Sequence, residues 1–438
     1  MRERVSLWLR RLTNVRPDEV SALAWAFVYH FALLCGYYIV RPIRDEMGVA
    51  GGVENLQWLF LGTFLAMLAI VPVFGWLTSR FSRRRFLPYA YLFFIANLLL
   101  FFLWFRSGVT HAHAARVFFI WVSVFNLFVV SVFWSFMTDI FSETQSKRLF
   151  GPIAAGGSLG ALAGPVVAGG LVTVVGVTNL LLISAAFLAL ALVCVQRLLA
   201  WQSRLKDADA QQAVEERERP LAGGPWAGIR LVVTSPYLLG ICVFILLYTT
   251  LSTFLYFQQA EIVRDSFSDS AQRTAVFAAM DFAVNALTLT LQVFVTGRLV
   301  VRLGVPWALG LVPLLLIVGF SALALAPVLG VLIVVQVLRR SGNYALTKPT
   351  REMLYVVLNR EEKYKAKNFI DTAIYRGGDA VSAWFFAGIR GLGLALGQTA
   401  LVAVPLAALW AWVAFRLGKQ HDRLLTKSRS RPRKEAST

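Results

Sequence analysis

Long apolar runs recur twelve times along the chain and constrain its fold more than any other feature. Each run holds about 20 residues, enough to cross the hydrocarbon core of a bilayer as a helix. The backbone there must be helical, because no water is present to satisfy open peptide groups. With 58% hydrophobic and 15% charged residues, the composition also excludes a water-soluble protein. The sequence therefore predicts an all-α membrane protein with 12 transmembrane helices. The predicted spans lie near residues 20–41, 55–80, 86–105, 114–141, 150–175, 178–200, 236–258, 273–300, 305–325, 327–348, 368–391 and 395–417.

Lys and Arg residues alternate between the two sides of the predicted spans. Of the 43 such residues, 35 fall in the N-terminus, the C-terminal tail and every second loop, and seven fall in the other loops. Since cytoplasmic loops carry the excess of positive charge, both termini and the central linker are predicted to be cytoplasmic. We expect a multi-pass protein of the cytoplasmic (inner) membrane. The net charge of +19 then reflects orientation in the lipid bilayer rather than a nucleic-acid partner.

Two halves are joined by the one long polar segment of the chain. We predict an N-terminal six-helix bundle at 1–200, a cytoplasmic linker at 201–235, a C-terminal six-helix bundle at 236–418 and a basic, disordered cytoplasmic tail at 419–438. Two landmarks repeat at nearly one spacing. Gly75, Leu77 and Arg80 recur 222 residues later as Gly297, Leu299 and Arg302, and Gly156-Gly157 recurs 221 residues later as Gly377-Gly378. Such repeats are typical of transporters, so we expect pseudo-symmetric bundles around a midplane cavity.

The sequence contains no pattern typical of an enzyme or a metal site. Its cysteines, Cys35, Cys194 and Cys242, fall in separate apolar runs, and its four histidines have no metal-ligand spacing. The glycine-rich stretch 151–165 lacks the lysine of a phosphate-binding loop, and its glycines at steps of four predict close helix packing instead. We expect no enzymatic activity, no cofactor and no metal, and a monomeric protein.

Polar side chains inside the predicted spans fall on single helix faces. They are Tyr248, Ser252 and Gln259 in span seven, Asp281, Asn285, Thr288 and Gln292 in span eight, Gln336, Arg340, Asn343 and Thr347 in span ten, and Asp371, Tyr375, Arg376 and Asp379 in span eleven. A charge near the bilayer centre costs at least about 2.5–3.5 kcal/mol, so it normally faces a cavity or a partner. The faces predict a wet cavity wall in the C-terminal half. Packing hydrogen bonds are an equal alternative for Asn and Gln, and an i, i+3 ion pair is the alternative for Arg376 and Asp379.

The loop after span two combines a glycine with an arginine cluster, Gly75-Trp-Leu-Thr-Ser-Arg80-Phe-Ser-Arg83-Arg84-Arg85. It resembles the cytoplasmic loop signature of the major facilitator superfamily, Gly-x-Leu-x-Asp-Arg-x-Gly-Arg-Arg. Ser79 and Ser82 replace that signature's acid and second glycine. The resemblance implies the major facilitator fold and a conformational latch at the cytoplasmic ends of the helices. The residues assigned to this latch are Gly75, Arg80, Arg83, Arg84, Asp139, Lys147 and Arg148.

A second resemblance rests on segments 37–45, 133–151 and 350–371. The first contains Arg41-Pro-Ile-Arg44-Asp45, and the third contains Arg351-Glu-Met-Leu-Tyr. These are similar to the Arg-x-x-Lys-Asp and Lys-Glu-Met-x-Tyr motifs of the non-mitochondrial nucleotide transporters, the plastid and parasite type of ATP/ADP translocase. The resemblance implies exchange of ATP for ADP and phosphate. The chain departs from it in span seven, where that family has charged residues and this chain has none.

Together these patterns predict a secondary active transporter that moves a small anionic solute by alternating access, and the second resemblance implies a nucleotide. We expect binding by Arg41, Arg44, Arg340, Lys348, Arg351, Arg376, Tyr375, Asn285 and Gln292. Asp45, Asp281, Asp371 and Asp379 are expected to balance these charges or to carry protons. Two alternatives stay open. One is a proton-coupled carrier or exporter of another organic solute, and the other is a non-transporting scaffold or enzyme on the same fold.

Overall fold

A computed structural model describes residues 15–17, 19–80, 83–108, 111–204, 227–358, 366–367 and 369–430. The regular elements of this described part are helices and contain no strand. The helices are α1 Val20–Ala50, α2 Leu56–Arg80, α3 Arg83–Arg106, α4 His111–Ile140, α5 Glu143–Val175, α6 Val177–Arg204, α7 Ala227–Thr234, α8 Pro236–Ser266, α9 Ser270–Leu291, α10 Gly297–Leu325, α11 Leu329–Gly342, α12 Lys348–Leu354, α13 Tyr375–Gly391 and α14 Leu396–Ser430. Short 3-10 segments lie at Val53–Asn55 and Tyr355–Val357.

Nine helical stretches of the described chain are long and apolar enough to cross a membrane. One of them, Ser270–Leu325, contains two predicted spans and is interrupted at Gly304, whose backbone is not helical (φ 76°, ψ 174°). Large apolar side chains are exposed on the helices, including Phe93 at 60% and Val318 at 70% exposure. Apolar surface of this extent needs a lipid environment. The protein is therefore an all-α, multi-pass membrane protein.

Predicted spans ten and eleven correspond to the shorter helices α11 and α13, of 14 and 17 residues. Each adjoins a five-residue π-helical segment, Asn343–Thr347 after α11 and Ile370–Ile374 before α13. A third π segment, Gln292–Thr296, separates α9 from α10. The described residues of α1–α6 contain no π segment. Because π turns occur frequently at functional sites, these interruptions mark the second half of the chain for closer inspection.

Glycines allow α5 to approach α1 closely. A Cβ atom on Gly156 would lie 2.5 Å from the backbone oxygen of Phe27, and one on Gly160 would lie 2.3 Å from that of Phe31. No side chain larger than hydrogen fits at these distances unless the helices separate. The packing stripe predicted from glycines at steps of four is confirmed.

The repeated glycine pairs have equivalent surroundings in the two halves. A Cβ atom on Gly157 in α5 would lie 2.3 Å from the ring of His30 in α1, and one on Gly378 in α13 would lie 2.6 Å from Oγ1 of Thr249 in α8. In each half, the fifth predicted span thus approaches the first through a glycine. This shared local packing supports the internal repeat read from the sequence.

The described residues group into two compact units. The first lies within Met1–Asn55, Leu65–Arg219 and Phe267–Asn285, and the second within Leu56–Phe64, Pro220–Ser266 and Ala286–Thr438. In the first unit α1 packs against α4, α5 and α6, and in the second α14 packs against α8 and α10. Phe267–Asn285 belongs to the first unit and Leu56–Phe64 to the second, so neither unit is one continuous segment of the chain.

The predicted linker and tail are partly helical. Helix α7 occupies the end of the predicted linker. Helix α14 continues to Ser430, so residues 419–430 of the predicted disordered tail are helical. Linker residues 205–226 and tail residues 431–438 lie outside the described part of the chain.

Candidate functional site

Arg41 and Asp281 form a buried ion pair in the first unit. Arg41 lies in α1 and Asp281 in α9, and the Arg41 Nε and Asp281 Oδ2 atoms are 3.5 Å apart. The Asp281 side chain is 1% exposed. The guanidinium of Arg41 also lies 5.5 Å from the centre of the Tyr38 ring. The pair joins two residues that were predicted separately, one as a binding cation and one as its balancing acid.

Arg44 contacts Asp45, Ser123 and Phe119 within the same unit. Its Nη1 donates to Oδ1 of Asp45 at 2.9 Å, and its Nε donates to Oγ of Ser123 at 2.9 Å. The guanidinium carbon lies 3.8 Å from the centre of the Phe119 ring, a cation–π distance. These contacts fix the orientation of the planar guanidinium.

Glu46 and Arg273 form a second pair, which the sequence analysis did not identify. Arg273 donates through Nε and Nη2 to the two carboxylate oxygens of Glu46, at 2.7 and 2.8 Å. It also donates through Nη1 to the carbonyls of Phe267 and Ser268, both at 3.0 Å. The Glu46 carboxylate is fully buried. This bidentate geometry is that of a strong structural ion pair.

The predicted polar residues Asn285 and Gln292 bind backbone carbonyls. Asn285 Nδ2 donates to the Ala161 oxygen at 2.7 Å, and Gln292 Nε2 donates to the Tyr344 oxygen at 3.3 Å. Gln292 is exposed and lies at the start of a π segment. Both contacts are of the packing type that was the alternative for uncharged residues.

Two predicted cations of the second unit have aspartate partners. Arg351 Nη2 lies 3.3 Å from Asp371 Oδ1, and Arg376 Nη1 lies 3.8 Å from Asp379 Oδ2. Lys348 is exposed at the start of α12. The Arg376 to Asp379 contact is the i, i+3 pair considered from the sequence, although its distance exceeds that of a direct charged hydrogen bond.

Around the first of these pairs lies a cluster of ionisable groups. Lys367 donates a hydrogen bond to Glu352, and the Tyr355 side chain is fully buried after α12. Burial raises the pKa of Tyr355, and the nearby carboxylate of Asp371 raises that pKa further. Tyr355 is therefore a neutral phenol at physiological pH, able to donate a hydrogen bond.

Polar side chains of α8, α11 and α13 meet in the second unit. Gln336 Nε2 donates to Gln259 Oε1 at 2.5 Å, and Arg339 Nη1 donates to Ser252 Oγ at 2.6 Å. The Tyr248 and Tyr375 ring centres are 5.9 Å apart. Predicted residue Arg340 is buried in the same helix as Arg339. The polar faces predicted for spans seven, ten and eleven thus adjoin each other.

Arg148 of the predicted latch forms an ion pair with Glu19. Arg148 donates to both carboxylate oxygens of Glu19, at 3.0 and 2.8 Å, and Gln145 donates to the same carboxylate at 3.1 Å. Burial alone would raise the pKa of Glu19, but hydrogen bonds from Arg148, the Arg16 backbone and Gln145 outweigh it and lower the pKa. The Glu19 carboxylate is therefore a stable anion at neutral pH.

The other latch residues contribute less to the described geometry. Arg80, Asp139 and Lys147 are exposed near helix ends. The side chains of Gly75, Arg83 and Arg84 lie outside the described part of the structure. Within the described residues, no group of three or more His, Cys, Asp or Glu side chains could hold a metal ion.

Sequence reasoning missed Arg339, Glu46 and Arg273. Arg339 lies inside predicted span ten and Arg273 at the start of predicted span eight, but neither is among the predicted site residues. A signal for Arg339 existed, because it stands three residues after Gln336 and next to the predicted Arg340 inside an apolar run. No local sequence pattern indicates the Glu46 to Arg273 pair, because the two residues are 227 positions apart.

Sequence relatives include two carriers from Chlamydia. ADP,ATP carrier protein 1 of Chlamydia muridarum is 23% identical over 331 residues, covering 66% of this chain and 61% of the relative. This alignment therefore spans less than two thirds of that relative. ADP,ATP carrier protein 2 of Chlamydia pneumoniae is 20% identical over 500 residues, covering 94% of this chain and 90% of the relative.

Solved structures of transporters share the fold. A mutant of the nucleoside transporter NupG superposes with a TM-score of 0.65 at 12% identity, covering 90% of this chain and 99% of that one. A bacterial homologue of the iron transporter ferroportin, in an inward-facing state, gives 0.65 at 14% identity, covering 92% and 98%. The sequence profile of the Major Facilitator Superfamily matches residues 23–350, well over half of the chain. This protein therefore belongs to the major facilitator superfamily.

Proposed function

We propose that this protein is a secondary active transporter that carries a small anionic solute across the cytoplasmic membrane by alternating access. The proposed topology has twelve spans with both termini in the cytoplasm. It is supported by the nine apolar stretches, one of which contains two predicted spans, and by α11 and α13 with their adjoining π segments. The excess of Lys and Arg in alternate loops supports the orientation.

The observation that carries this proposal is the pairing of four predicted cations with four predicted aspartates. The pairs are Arg41 with Asp281, Arg44 with Asp45, Arg351 with Asp371, and Arg376 with Asp379, at 3.5, 2.9, 3.3 and 3.8 Å. A charge-assisted N–H to O hydrogen bond is about 2.7–2.9 Å long. Three of the four pairs are therefore looser than direct hydrogen bonds and easier to separate.

Loose ion pairs suit the binding of an anion. When the solute is absent, each aspartate neutralises its arginine, which limits the cost of holding a charge inside the membrane. When a solute anion binds, its oxygens replace the carboxylate as the partner of the guanidinium. The arginine stays neutralised in both states, so the exchange of one bound anion for another has a low electrostatic cost.

We propose nucleotides as the solute, moved by exchange of ATP for ADP. This assignment is supported by the motifs around Arg41, Arg44 and Arg351 and by two relatives named as ADP,ATP carriers. The uncharged residues of α8 distinguish this chain from the nucleotide-transporter pattern. The solute would then depend more on α11 and α13 for its charge contacts.

Nucleotide exchange can be measured in proteoliposomes that contain the purified protein. We expect uptake of labelled ATP that requires ADP inside the vesicles and needs no pH gradient. Arg376→Ala should abolish this uptake, because it removes a predicted binding charge. Arg264→Gln is the matched control, since Arg264 is an exposed arginine paired with Asp265 at 2.9 Å. Equal uptake with and without internal ADP would contradict exchange.

One observation favours a proton-coupled carrier as the second candidate. Asp281 is almost completely buried, and its Oδ2 lies 3.5 Å from Arg41 Nε. A buried carboxylate with a separable partner can take up a proton during a transport cycle. Under this alternative, Asp281→Asn would eliminate accumulation driven by a pH gradient while leaving solute exchange intact. A non-transporting scaffold or enzyme would give neither activity.

A further inference from the structure

Arg339 in α11 is a buried guanidinium whose hydrogen-bond partners are neutral. Its Nε donates to Gln336 Oε1 at 3.0 Å, and its Nη1 donates to Ser252 Oγ at 2.6 Å. The residue is 5% exposed. Both acceptors are uncharged, so neither compensates the positive charge.

No acidic residue pairs with Arg339 within the described part of the chain. Its electrostatic neighbours are the phenols Tyr248, Tyr344 and Tyr375 and a second cation, Arg340. This distinguishes Arg339 from four predicted cations, Arg41, Arg44, Arg351 and Arg376, each of which has an aspartate partner. A buried charge without a counter-charge is strongly unfavourable, so a residue of this kind calls for a partner that the described part of the chain does not supply.

A chain of side-chain hydrogen bonds fixes the orientation of Arg339. Gln336 uses its amide nitrogen to donate to Gln259 and its amide oxygen to accept from Arg339. Ser252 on α8 anchors the other side of the guanidinium. These two bonds occupy Nε and Nη1, and Nη2 has no acceptor among the described residues. The group is held in place before any ligand arrives, which reduces the entropy lost on binding.

We propose that Arg339 is the fixed anion-binding group of the transporter, which contacts one carboxylate or phosphate group of the solute through its remaining donors. This inference rests on the proposed transport function and deepens it by dividing the cations into two classes. Arg351 and Arg376 exchange an aspartate for the solute, whereas Arg339 has only the solute as its counter-charge. Arginine suits this role, because its planar donors match the geometry of carboxylate and phosphate oxygens.

Thermal unfolding of the purified full-length protein in detergent tests this site. The probes are sodium phosphate and sodium acetate, each compared with sodium chloride at equal ionic strength. We expect one or both oxyanions to raise the unfolding midpoint of the wild-type protein, since a ligand that binds the folded state stabilises it. In Arg339→Gln the apparent affinity should fall about 10- to 100-fold, the equivalent of a lost hydrogen bond to a charged group. The phosphate and acetate arms distinguish the two oxyanion chemistries.

Two further variants separate binding from folding. Arg339→Lys keeps the charge and should retain part of the oxyanion effect, and Arg264→Gln should retain all of it. Without an oxyanion, Arg339→Gln should unfold no earlier than wild type, because it removes an uncompensated charge and leaves a hydrogen-bonding amide. An unchanged oxyanion shift in Arg339→Gln, or no shift in the wild-type protein, would overturn the proposal.

The unfolding experiment and the exchange assay together distinguish failure of the Arg339 anion site from failure of the nucleotide assignment. If ATP and ADP are not exchanged in proteoliposomes but the oxyanion shift depends on Arg339, the anion site stands and the nucleotide assignment fails. If exchange occurs and Arg339→Gln leaves both exchange and the oxyanion shift unchanged, the transport function stands and Arg339 is not its anion site.

Discussion

In the first half of the chain, α5 packs against α1 through Gly156 and Gly160, at distances that leave no room for a side chain. In the second half, three π segments interrupt the helices between Gln292 and Ile374. Close glycine packing makes a rigid contact, because any displacement of the backbone loses many van der Waals contacts at once. A π turn instead changes the direction of side chains within a helix. The second half also has close glycine contacts, such as that of Gly378 with Thr249, but it combines them with π segments that redirect polar side chains.

The Glu46 to Arg273 pair of the first unit and the Asp379 to Arg376 pair of the second differ in distance and burial. Glu46 and Arg273 make two direct hydrogen bonds at 2.7 and 2.8 Å around a fully buried carboxylate. Asp379 and Arg376 are 3.8 Å apart, with side chains that are 22% and 33% exposed. The first arrangement stabilises a fixed structure, whereas the second is longer and partly exposed and therefore contributes less to stability.

Substitutions in these two pairs should have very different effects on stability. Glu46→Gln leaves the Arg273 guanidinium without its charge partner in a buried site, and we expect a loss of about 3–5 kcal/mol. Asp379→Asn breaks a long, partly exposed pair and should cost less than about 1 kcal/mol. Unfolding midpoints in detergent measure both effects. Equal losses would break the distinction between fixed and exchangeable pairs.

Substitution of the α5 glycines tests the rigidity of the first half. Gly160→Ala places a Cβ atom 2.3 Å from the Phe31 oxygen, and we expect a loss of about 1–3 kcal/mol from overpacking. Gly170→Ala is the matched control in the same helix, because no described heavy atom beyond its own helical turn and chain neighbours lies within 4 Å of its Cβ position. The control should be neutral or more stable by up to about 1 kcal/mol. Unfolding midpoints that rank the two variants in the opposite order would refute the close contact.

Gly377, in the second half, lacks the close backbone contact that Gly160 makes with Phe31. A Cβ atom on Gly377 would lie 3.8 Å from the Phe64 ring, an ordinary van der Waals distance. We expect Gly377→Ala to keep the wild-type unfolding midpoint or raise it by an amount near that of Gly170→Ala. A loss as large as that of Gly160→Ala would show that Gly377 is packed as tightly as Gly160.

A smaller effect is expected for the acid dependence of the Glu19 contact with Arg148. The pKa of Glu19 is lowered in the folded protein, so its stabilising contribution is present above its ordinary value of 4.5. That contribution is lost as the pH falls through the folded pKa. Glu19→Gln should therefore reduce stability at neutral pH and flatten its decline in acid. Unfolding midpoints measured from about pH 7 down to about pH 3 check this, and an identical acid profile in the variant would contradict it.

Membrane class, helix positions and family were accessible from the sequence because they depend on patterns that extend over many residues. The apolar runs and the Gly75 to Arg85 motif each combine several residues in one continuous stretch. The four aspartates expected to balance charge include Asp45 and Asp379, which stand one and three residues from their partners. The i, i+3 pair follows from helix geometry, and the Arg44 to Asp45 pair joins two consecutive residues.

The remaining features depend on contacts between distant segments. The π segments are set by the packing of whole helices, and no residue type in Asn343–Thr347 requires one. Arg339 and Arg340 are adjacent inside predicted span ten, and the sequence does not indicate which of them contacts α8. Only the packing of α8 against α11 brings Ser252 to this guanidinium.

In the proposed mechanism, a solute anion takes the place of Asp379 beside Arg376. Its most direct test is the half-saturation concentration for external ATP in proteoliposomes containing wild-type protein, Arg376→Gln or Asp379→Asn. Asp379→Asn removes the competing carboxylate and should lower this concentration, whereas Arg376→Gln removes the binding cation and should raise it at least about tenfold. Opposite shifts support the account. Shifts in the same direction, or none in either variant, would contradict it.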